Sequence, residues 1–195
     1  MSVTHDPPSD YECVAGEFMR RRGPGGIGAA TVREWTRRIR RGGAVLDLGC
    51  GHGVPISQVL VDEGFDVYGI DSSPSMIGAF RTRFPSAHAE CAPVETSDLF
   101  GRSFDGIVSW GLLFLLPVEA QERLIGKVAT ALAPGGQFVF TSTLHACTWT
   151  DILTGTPSIS LGGDRYRAIL AGEGLEIVGE ASDEGDNHYY FALKR

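Results

Sequence analysis

The chain has 195 residues, a length that suits one compact domain and is short for two. Its formal net charge is −7 at pH 7, so its surface repels a phosphate backbone and nucleic acid is disfavoured as the main partner. The sequence has no apolar run of about 18 residues, and its polar, acidic start does not resemble a secretory signal, so we expect a cytoplasmic protein without a membrane span. The cysteines form no C-x-x-C pattern and predict neither a disulfide framework nor a metal site: Cys13, Cys50, Cys91 and Cys147.

The first 41 residues predict helices. Residues 1–10 are expected to be loosely ordered, because Pro7 and Pro8 interrupt any helix. Helices are predicted over 11–22 and, after a glycine-rich break, over 29–41. Eight of the 17 basic residues lie before position 42, which we interpret as the solvated face of a helix, with an anion or partner patch as the alternative.

Strands alternate with helices from residue 44 onwards. Short apolar runs predict strands over 44–48, 66–70, 86–91, 105–110 and 137–143. Helices are predicted over 54–63, 73–84, 118–132 and 164–171. Two closing strands joined by a tight turn predict an antiparallel hairpin, over 175–181 and 188–194. This order predicts an α/β fold with a mostly parallel sheet and helices on both faces.

The strongest motif is VLDLGCGHG at residues 45–53, where a buried strand runs into a glycine-rich turn and then a helix. Gly49, Gly51 and Gly53 allow a tight turn and a close approach of the backbone to a ligand. Asp71 ends the next strand, 22 residues after Gly49, where an open α/β sheet places a carboxylate for the ribose hydroxyls. The combination predicts a nucleoside-containing cofactor.

Two cofactor classes compete for this motif. A dinucleotide fold would show G-x-G-x-x-G with a pyrophosphate at the helix N-terminus, whereas this turn has G-x-G-x-G spacing. Asp47 precedes the turn, and a carboxylate there suits a cationic ligand such as S-adenosylmethionine (SAM) better than a pyrophosphate. An NAD(P)-dependent oxidoreductase is therefore the less favoured alternative, and the chain also has no recognisable Tyr-x-x-x-Lys pair.

Four segments in the same order resemble motifs of the class I SAM-dependent methyltransferases that act on small molecules. They are VLDLGCGHG, VYGIDSSPSM, FDGIVSWGLLFLL and LAPGGQFVFTS. The resemblance covers about residues 44–195 and implies a Rossmann-like, seven-stranded sheet in the order 3-2-1-4-5-7-6, with the last strand antiparallel. It also implies a single domain, 1–195, in which residues 1–41 form a helical cover over a SAM-binding core, 42–195.

The resemblance assigns cofactor contacts by position. The three glycines and Trp110 would surround the methionine part of SAM, with Asp47 supporting the turn. Asp71 would hold the ribose, with Ser72 beside the adenosine, and the backbone N–H of Ala92 would bind adenine. The full predicted cofactor set is Asp47, Gly49, Cys50, Gly51, Gly53, Asp71, Ser72, Met76, Cys91, Ala92, Trp110 and Leu112.

The chain departs from the family at the adenine contact. Many relatives have an acidic residue directly before the alanine that follows the third strand, and this chain has Cys91 there. A neighbouring acid, Glu90 or Glu95, is expected to accept the adenine amino group instead.

The acceptor end is less defined. His145 and His188 follow strands at the same edge of the sheet and are candidate general bases, with an ordinary loop or hairpin histidine as the alternative for each. Segment 154–163 is expected to be a flexible lid or substrate loop. Aromatic side chains near this edge favour an apolar or aromatic small-molecule acceptor: Trp110, Phe114, Trp149 and Tyr189. A non-catalytic SAM-binding module remains an alternative, and we expect a monomer or a homodimer.

Overall fold

The computed structural model describes residues 7–23 and 25–195. The N-terminal part forms helices α1 (Pro7–Arg21) and α2 (Ala29–Thr36). The prediction of loose structure up to residue 10 is wrong for residues 7–10, and its remainder lies outside the described residues. Both prolines stand in the first turn of α1, where a backbone N–H has no helical partner to lose.

The elements of the core follow one another in an α/β pattern. The strands are β1 (Ala44–Leu48), β2 (Asp66–Asp71), β3 (His88–Cys91), β4 (Phe104–Ser109), β5 (Leu132–Thr141), β6 (Cys147–Thr150), β7 (Pro157–Ser160), β8 (Leu175–Ser182) and β9 (His188–Lys194). The helices are α3 (Ile56–Asp62), α4 (Pro74–Arg83), α5 (Val118–Ala131) and α6 (Gly163–Gly172). Short 3₁₀ turns lie at Leu99–Gly101 and Leu113–Leu115.

Within the described residues, the main sheet has seven strands in the order β3-β2-β1-β4-β5-β9-β8. Strands β1 to β5 pair in parallel, and β9 is antiparallel to both of its neighbours. The Rossmann-like α/β fold and strand order expected from the resemblance are confirmed, with β8 and β9 as the sixth and seventh strands. The carboxyl ends of β1, β2 and β4 therefore meet at one edge of the sheet.

The core lies on both faces of this sheet. All five residues of β1 are buried, as expected for a central parallel strand covered on two sides. One face packs on α5 and α6 through side chains such as Leu124 and Tyr166. The other packs on α2, α3 and α4 through Trp35 and Phe80 among others. The helices that carry site residues are thus fixed by apolar burial.

The hairpin of β6 and β7 was not predicted. It includes part of segment 154–163, whose interpretation as a flexible loop is wrong for the residues in β7. Buried hydrogen bonds attach β7 to the core: Gln121 Nε2 donates to the carbonyl oxygen of Ile159 at 2.9 Å, and Ser142 Oγ donates to Ser160 Oγ at 3.0 Å. The phenol of Tyr166 in turn donates to Gln121 Oε1 at 2.7 Å. These strands are four residues each and are largely exposed in β6, so they lack the alternation that identifies a longer strand.

Gly53→Ala should lower the free energy of unfolding by about 2–4 kcal/mol, measured by urea denaturation. Gly53 has φ +85°, and a Cβ atom there would overlap the Phe84 ring and lie 2.9 Å from Phe80. Gly64→Ala is the matched control, because Gly64 has φ +81° but no heavy atom of the described residues within 4 Å of its Cβ position. Gly64→Ala should lower the free energy of unfolding by only about 1–2 kcal/mol, because alanine adopts this backbone conformation less readily than glycine. Equal losses for the two variants would contradict the packing role of Gly53.

Candidate active site

A cavity of about 490 Å³ lies at the carboxyl ends of β1, β2 and β4. The glycine turn after β1 and the residues after β2 and β4 line its floor. Its other walls come from α1 and from the segment 149–153, which begins in β6. This is the edge of an open α/β sheet at which ligands bind.

The glycine turn is held in place by backbone hydrogen bonds and by close packing. The N–H groups of Gly49 and Cys50 both donate to the carbonyl oxygen of Ile70 in β2. Gly49 has φ +72°, and a Cβ atom there would lie 2.9 Å from Cβ of Leu112. Gly49, Cys50 and Gly51 line the cavity together with Leu112, whereas Gly53 faces the aromatic core. The expectation that Gly53 contacts the methionine part of a ligand is therefore corrected: this glycine is required by packing.

Asp71 links the end of β2 to the glycine turn. Its Oδ2 accepts the N–H of Gly51 and its Oδ1 accepts the N–H of Ser73, each at 2.9 Å. Burial raises the pKa of the Asp71 carboxyl, and these hydrogen bonds act in the opposite direction. Asp71 and Ser72 both line the cavity. The acid therefore organises the turn and also presents its carboxylate to the cavity.

Asp47 is the buried acid of the site. Its side chain is nine-tenths or more buried, lines the cavity and accepts a hydrogen bond from Ser57 Oγ at 2.5 Å. Burial raises the pKa of the Asp47 carboxyl to about 7, against the opposing effect of the Ser57 hydrogen bond. A carboxyl group with this pKa is ready to ionise when a cation enters the cavity.

The adenine side differs from the sequence-based expectation. Met76 lines the cavity, but Cys91 and Ala92 do not. The N–H of Ala92 donates to the carbonyl oxygen of Asp71 at 3.0 Å, so it continues the β2–β3 ladder and is not free to bind adenine. Glu95 lines the cavity instead, and its Oε2 is buried without a hydrogen-bond partner among the described residues. Glu90 is engaged by Ser97 Oγ at 2.9 Å.

The side chain of Trp110 closes the cavity next to β4. Its Nε1 donates to the hydroxyl of Tyr189 at 2.6 Å, and that hydroxyl donates to Asp183 Oδ2 at 2.7 Å. Burial raises the pKa of Tyr189, so its phenol stays protonated as a donor. Asp183 also accepts the side-chain amide of Asn187, which lines the cavity. The turn between β8 and β9 thereby fixes the orientation of Trp110.

Neither predicted histidine reaches the cavity. His145 is exposed in the loop before β6. The His188 Nε2 lies 3.1 Å from Glu180 Oε2, and its ring packs edge-on against Tyr190. Both lie outside the cavity lining, so their interpretation as general bases beside a reacting group is corrected. The carboxyl ends of β5 and the β8–β9 turn share an edge with the site, but these side chains turn away from it.

The outer half of the cavity is mostly apolar. The rings of Phe114 and Trp149 lie with centroids 5.2 Å apart, next to Leu115. Tyr11 of α1 donates to Asp151 Oδ2 at 3.2 Å and so connects the N-terminal helix to the segment after β6. Sequence reasoning missed several lining residues here and nearby: Phe18, Val54, Pro93, Val94, Asp151 and Leu153. Phe18 lies seven residues after Tyr11 and so on the same helix face, and this spacing is a signal that could have identified Phe18 within the predicted helical cover.

Within residues 7–23 and 25–195, no helix combines the length and the apolar character of a membrane span. In the same part of the chain, no group of three or more His, Cys, Asp or Glu side chains is arranged to hold a metal ion.

Known proteins are similar to this chain in sequence and in fold. A family model described as a methyltransferase domain matches residues 45–136. The chain is 29% identical over 148 residues to malonyl-(acyl-carrier protein) O-methyltransferase of Enterobacter lignolyticus, covering 70% of this chain and 55% of the relative. It is 32% identical over 111 residues to carboxy-S-adenosyl-L-methionine synthase of Desulforapulum autotrophicum, covering 52% of this chain and 44% of the relative. The chain thus spans about half the length of these curated relatives.

A solved structure agrees over the whole chain. Magnesium protoporphyrin IX methyltransferase from Synechocystis, determined with bound SAM, aligns with a TM-score of 0.73 and 18% identity over 100% of both chains. At this identity the likeness concerns the fold. The strand order of the sheet and the glycine turn after β1 are typical of Rossmann-like α/β proteins of the nucleoside-binding type. Together with the family match over residues 45–136, they make the chain similar to the class I SAM-dependent methyltransferases.

Proposed function

We propose that the chain binds SAM in this cavity and transfers its methyl group to a small apolar or aromatic molecule. The observation that carries the proposal is the convergence of the glycine turn, Asp47 and Asp71 on one cavity of about 490 Å³. That volume lies within the usual range of small-molecule sites.

The adenosine end of SAM fits the groups that the cavity presents. Each carboxylate oxygen of Asp71 accepts one backbone N–H and keeps a lone pair that can accept a ribose hydroxyl. The unpartnered Oε2 of Glu95 is a buried acceptor that needs a donor, and the adenine amino group is one. Glu95 is therefore our candidate for the acidic contact that relatives make from the position of Cys91.

The methionine end of SAM fits Asp47. Its buried carboxyl forms no ion pair with any cation among the described residues, and its hydrogen bond comes from a neutral hydroxyl. A ligand that brings a positive charge would favour the ionised carboxylate. The SAM ammonium and sulfonium are both positive, whereas a pyrophosphate would be repelled.

When bound, SAM supplies a methyl group on a positively charged sulfur. The chain holds an acceptor in line with that methyl group, and such alignment contributes roughly 7–11 kcal/mol to a bimolecular reaction. Phe114 and Trp149 offer aromatic surface to the acceptor, and the hydrogen bond from Tyr11 to Asp151 helps to exclude water. Burial raises the pKa of Tyr11, so its hydroxyl remains a donor. No described histidine lines the cavity, so we propose catalysis by positioning, without a histidine base.

Thermal unfolding with SAM, S-adenosylhomocysteine (SAH), NAD and NADP tests the cofactor. A ligand at 100 times its dissociation constant adds about 2.7 kcal/mol of stability. For a domain of this size the midpoint should rise by roughly 5–10 °C with SAM and SAH only. A rise with NAD or NADP instead would overturn the proposal.

Transfer of labelled methyl from SAM to a panel of acceptors tests the reaction. We expect turnover with aromatic or apolar acceptors and little with strongly charged ones, because the outer half of the cavity is apolar. SAM binding without turnover of any acceptor would favour a non-catalytic SAM-binding module.

A further inference from the structure

Among the described arginines of the N-terminal segment, Arg21 and Arg22 line the cavity, and Arg22 is the one whose guanidinium packs on aromatic rings of that lining. It lies 4.4 Å from the ring centroid of Trp110 and 4.9 Å from that of Phe18. Among the described side chains, none pairs a carboxylate with it, although all of the following arginines have such partners: Arg20, Arg21, Arg33, Arg37 and Arg40. The aromatic rings fix the plane of the guanidinium without neutralising its charge.

A half-buried cation without an anion is costly. Burial lowers the pKa of the Arg22 guanidinium, which is the direction expected when the charged form lacks compensation. A guanidinium stays protonated in proteins and presents its N–H donors in a fork that matches a carboxylate. Within the described part of the chain no carboxylate meets the guanidinium, so a carboxylate of a bound ligand would suit it.

The position of Arg22 indicates which anion this is. Phe18, on which it packs, lies 3.5 Å from the Cβ position of Gly51, and Trp110 follows β4. Arg22 thus lies on the side of the cavity next to the glycine turn. Asp47, which stands in β1 directly before that turn, lines the same cavity. An α-amino acid carries one ammonium and one carboxylate, and the cavity offers the carboxyl group of Asp47 and the guanidinium of Arg22 to these two charges.

We propose that Arg22 binds the carboxylate of the methionine part of SAM, opposite the ammonium that Asp47 receives. The inference rests on the proposed function, since it needs SAM in the cavity. Tyr189 is then a positioning residue: its hydroxyl accepts Trp110 Nε1 and donates to Asp183, which fixes the ring on which the guanidinium packs.

The binding of two ligands distinguishes a carboxylate-binding role of Arg22 from a purely structural role. SAH carries the amino-acid carboxylate, whereas 5′-methylthioadenosine has the same adenosine and sulfur but no amino-acid end. By isothermal titration calorimetry, Arg22→Met should weaken SAH binding by about 10–100-fold, the range expected for a lost charged hydrogen bond. Binding of 5′-methylthioadenosine should stay within about twofold. Arg20→Met is the matched control on the same helix, because Arg20 is exposed and paired with Glu17, and it should bind both ligands like the wild type.

Two further variants extend the test. Arg22→Lys keeps the charge but loses the planar fork, so it should weaken SAH binding less than Arg22→Met does, and it serves as the readout if the methionine variant does not fold. Tyr189→Phe should weaken SAH binding severalfold and leave 5′-methylthioadenosine unchanged. Unchanged SAH binding in the Arg22 variants, or equal losses for both ligands, would overturn the inference. Failure of the wild type to bind either ligand would instead overturn the proposed function.

Discussion

Asp71→Asn should raise the dissociation constant for SAH about 100-fold or more. The substitution keeps the size of the side chain but removes the negative charge that two backbone N–H groups and, in our proposal, the ribose hydroxyls share. It also turns one acceptor into a donor that faces the N–H of Gly51 or Ser73. Each charge-assisted hydrogen bond contributes roughly 1.5–3 kcal/mol. The loss of one or two such hydrogen bonds therefore accounts for a rise of about 100-fold in the dissociation constant.

Calorimetric titration with SAH measures the effect, and Asp66→Asn is the control. Asp66 begins the same strand, β2, but lies at its far end beside His88 and Arg102. The control should bind SAH like the wild type. If Asp71→Asn binds SAH within about threefold of the wild type, then Asp71 serves only the backbone of the turn.

Asp47→Asn should stabilise the ligand-free protein and weaken cofactor binding at the same time. The carboxyl has a pKa of about 7 in the folded protein against an ordinary value of 3.8, so folding favours its protonated form. The stability that the neutral carboxyl provides is fully present below about pH 4 and is lost as the pH rises towards 7. An asparagine stays neutral at every pH. The free energy of unfolding of Asp47→Asn should therefore exceed that of the wild type by an amount that grows from about pH 4 to pH 7 and levels off at about 2–4 kcal/mol above pH 7.

Urea denaturation of both proteins between pH 4 and pH 8, without ligand, measures this difference. Asp62→Asn is the control, because Asp62 is an exposed residue of α3 that bonds only Gln58, and its effect should be small. The same Asp47→Asn variant should bind SAH at pH 8 more weakly than the wild type, since the ligand ammonium loses its anion. A stability difference that does not change with pH would show that Asp47 is not protonated in the folded protein.

Much of the fold was predictable because its signals are local and repeated. The buried run at 44–48 and the turn that follows it identify β1 and the site edge, and alternation of strands with helices indicates a parallel sheet. Asp47, Asp71, Trp110 and Leu112 were found in the cavity wall because parallel strands bring their carboxyl ends together.

The remaining features depend on long-range geometry. No local pattern shows that the N–H of Ala92 is consumed by the β2–β3 ladder, or that Gly53 faces Phe84 rather than a ligand. His145 and His188 follow strands at the correct edge, but side-chain direction is decided by neighbours such as Glu180. The β6–β7 hairpin is fixed by hydrogen bonds to α5 and to Ser142, the residue after β5, and sequence spacing does not reveal these bonds.

The place of β9 in the sheet has a consequence during synthesis on the ribosome. Among the strands that the structure describes, β9 is made last, yet it lies between β5 and β8. Until it emerges, β5 exposes an unpaired edge with apolar residues such as Val139 and Phe140, the type of edge that recruits other chains. Tyr189, whose hydroxyl accepts the hydrogen bond of Trp110, belongs to β9 and is synthesised with it. A nascent chain lacking β9 is therefore an aggregation-prone species and a natural client for chaperones, and its cofactor pocket matures last.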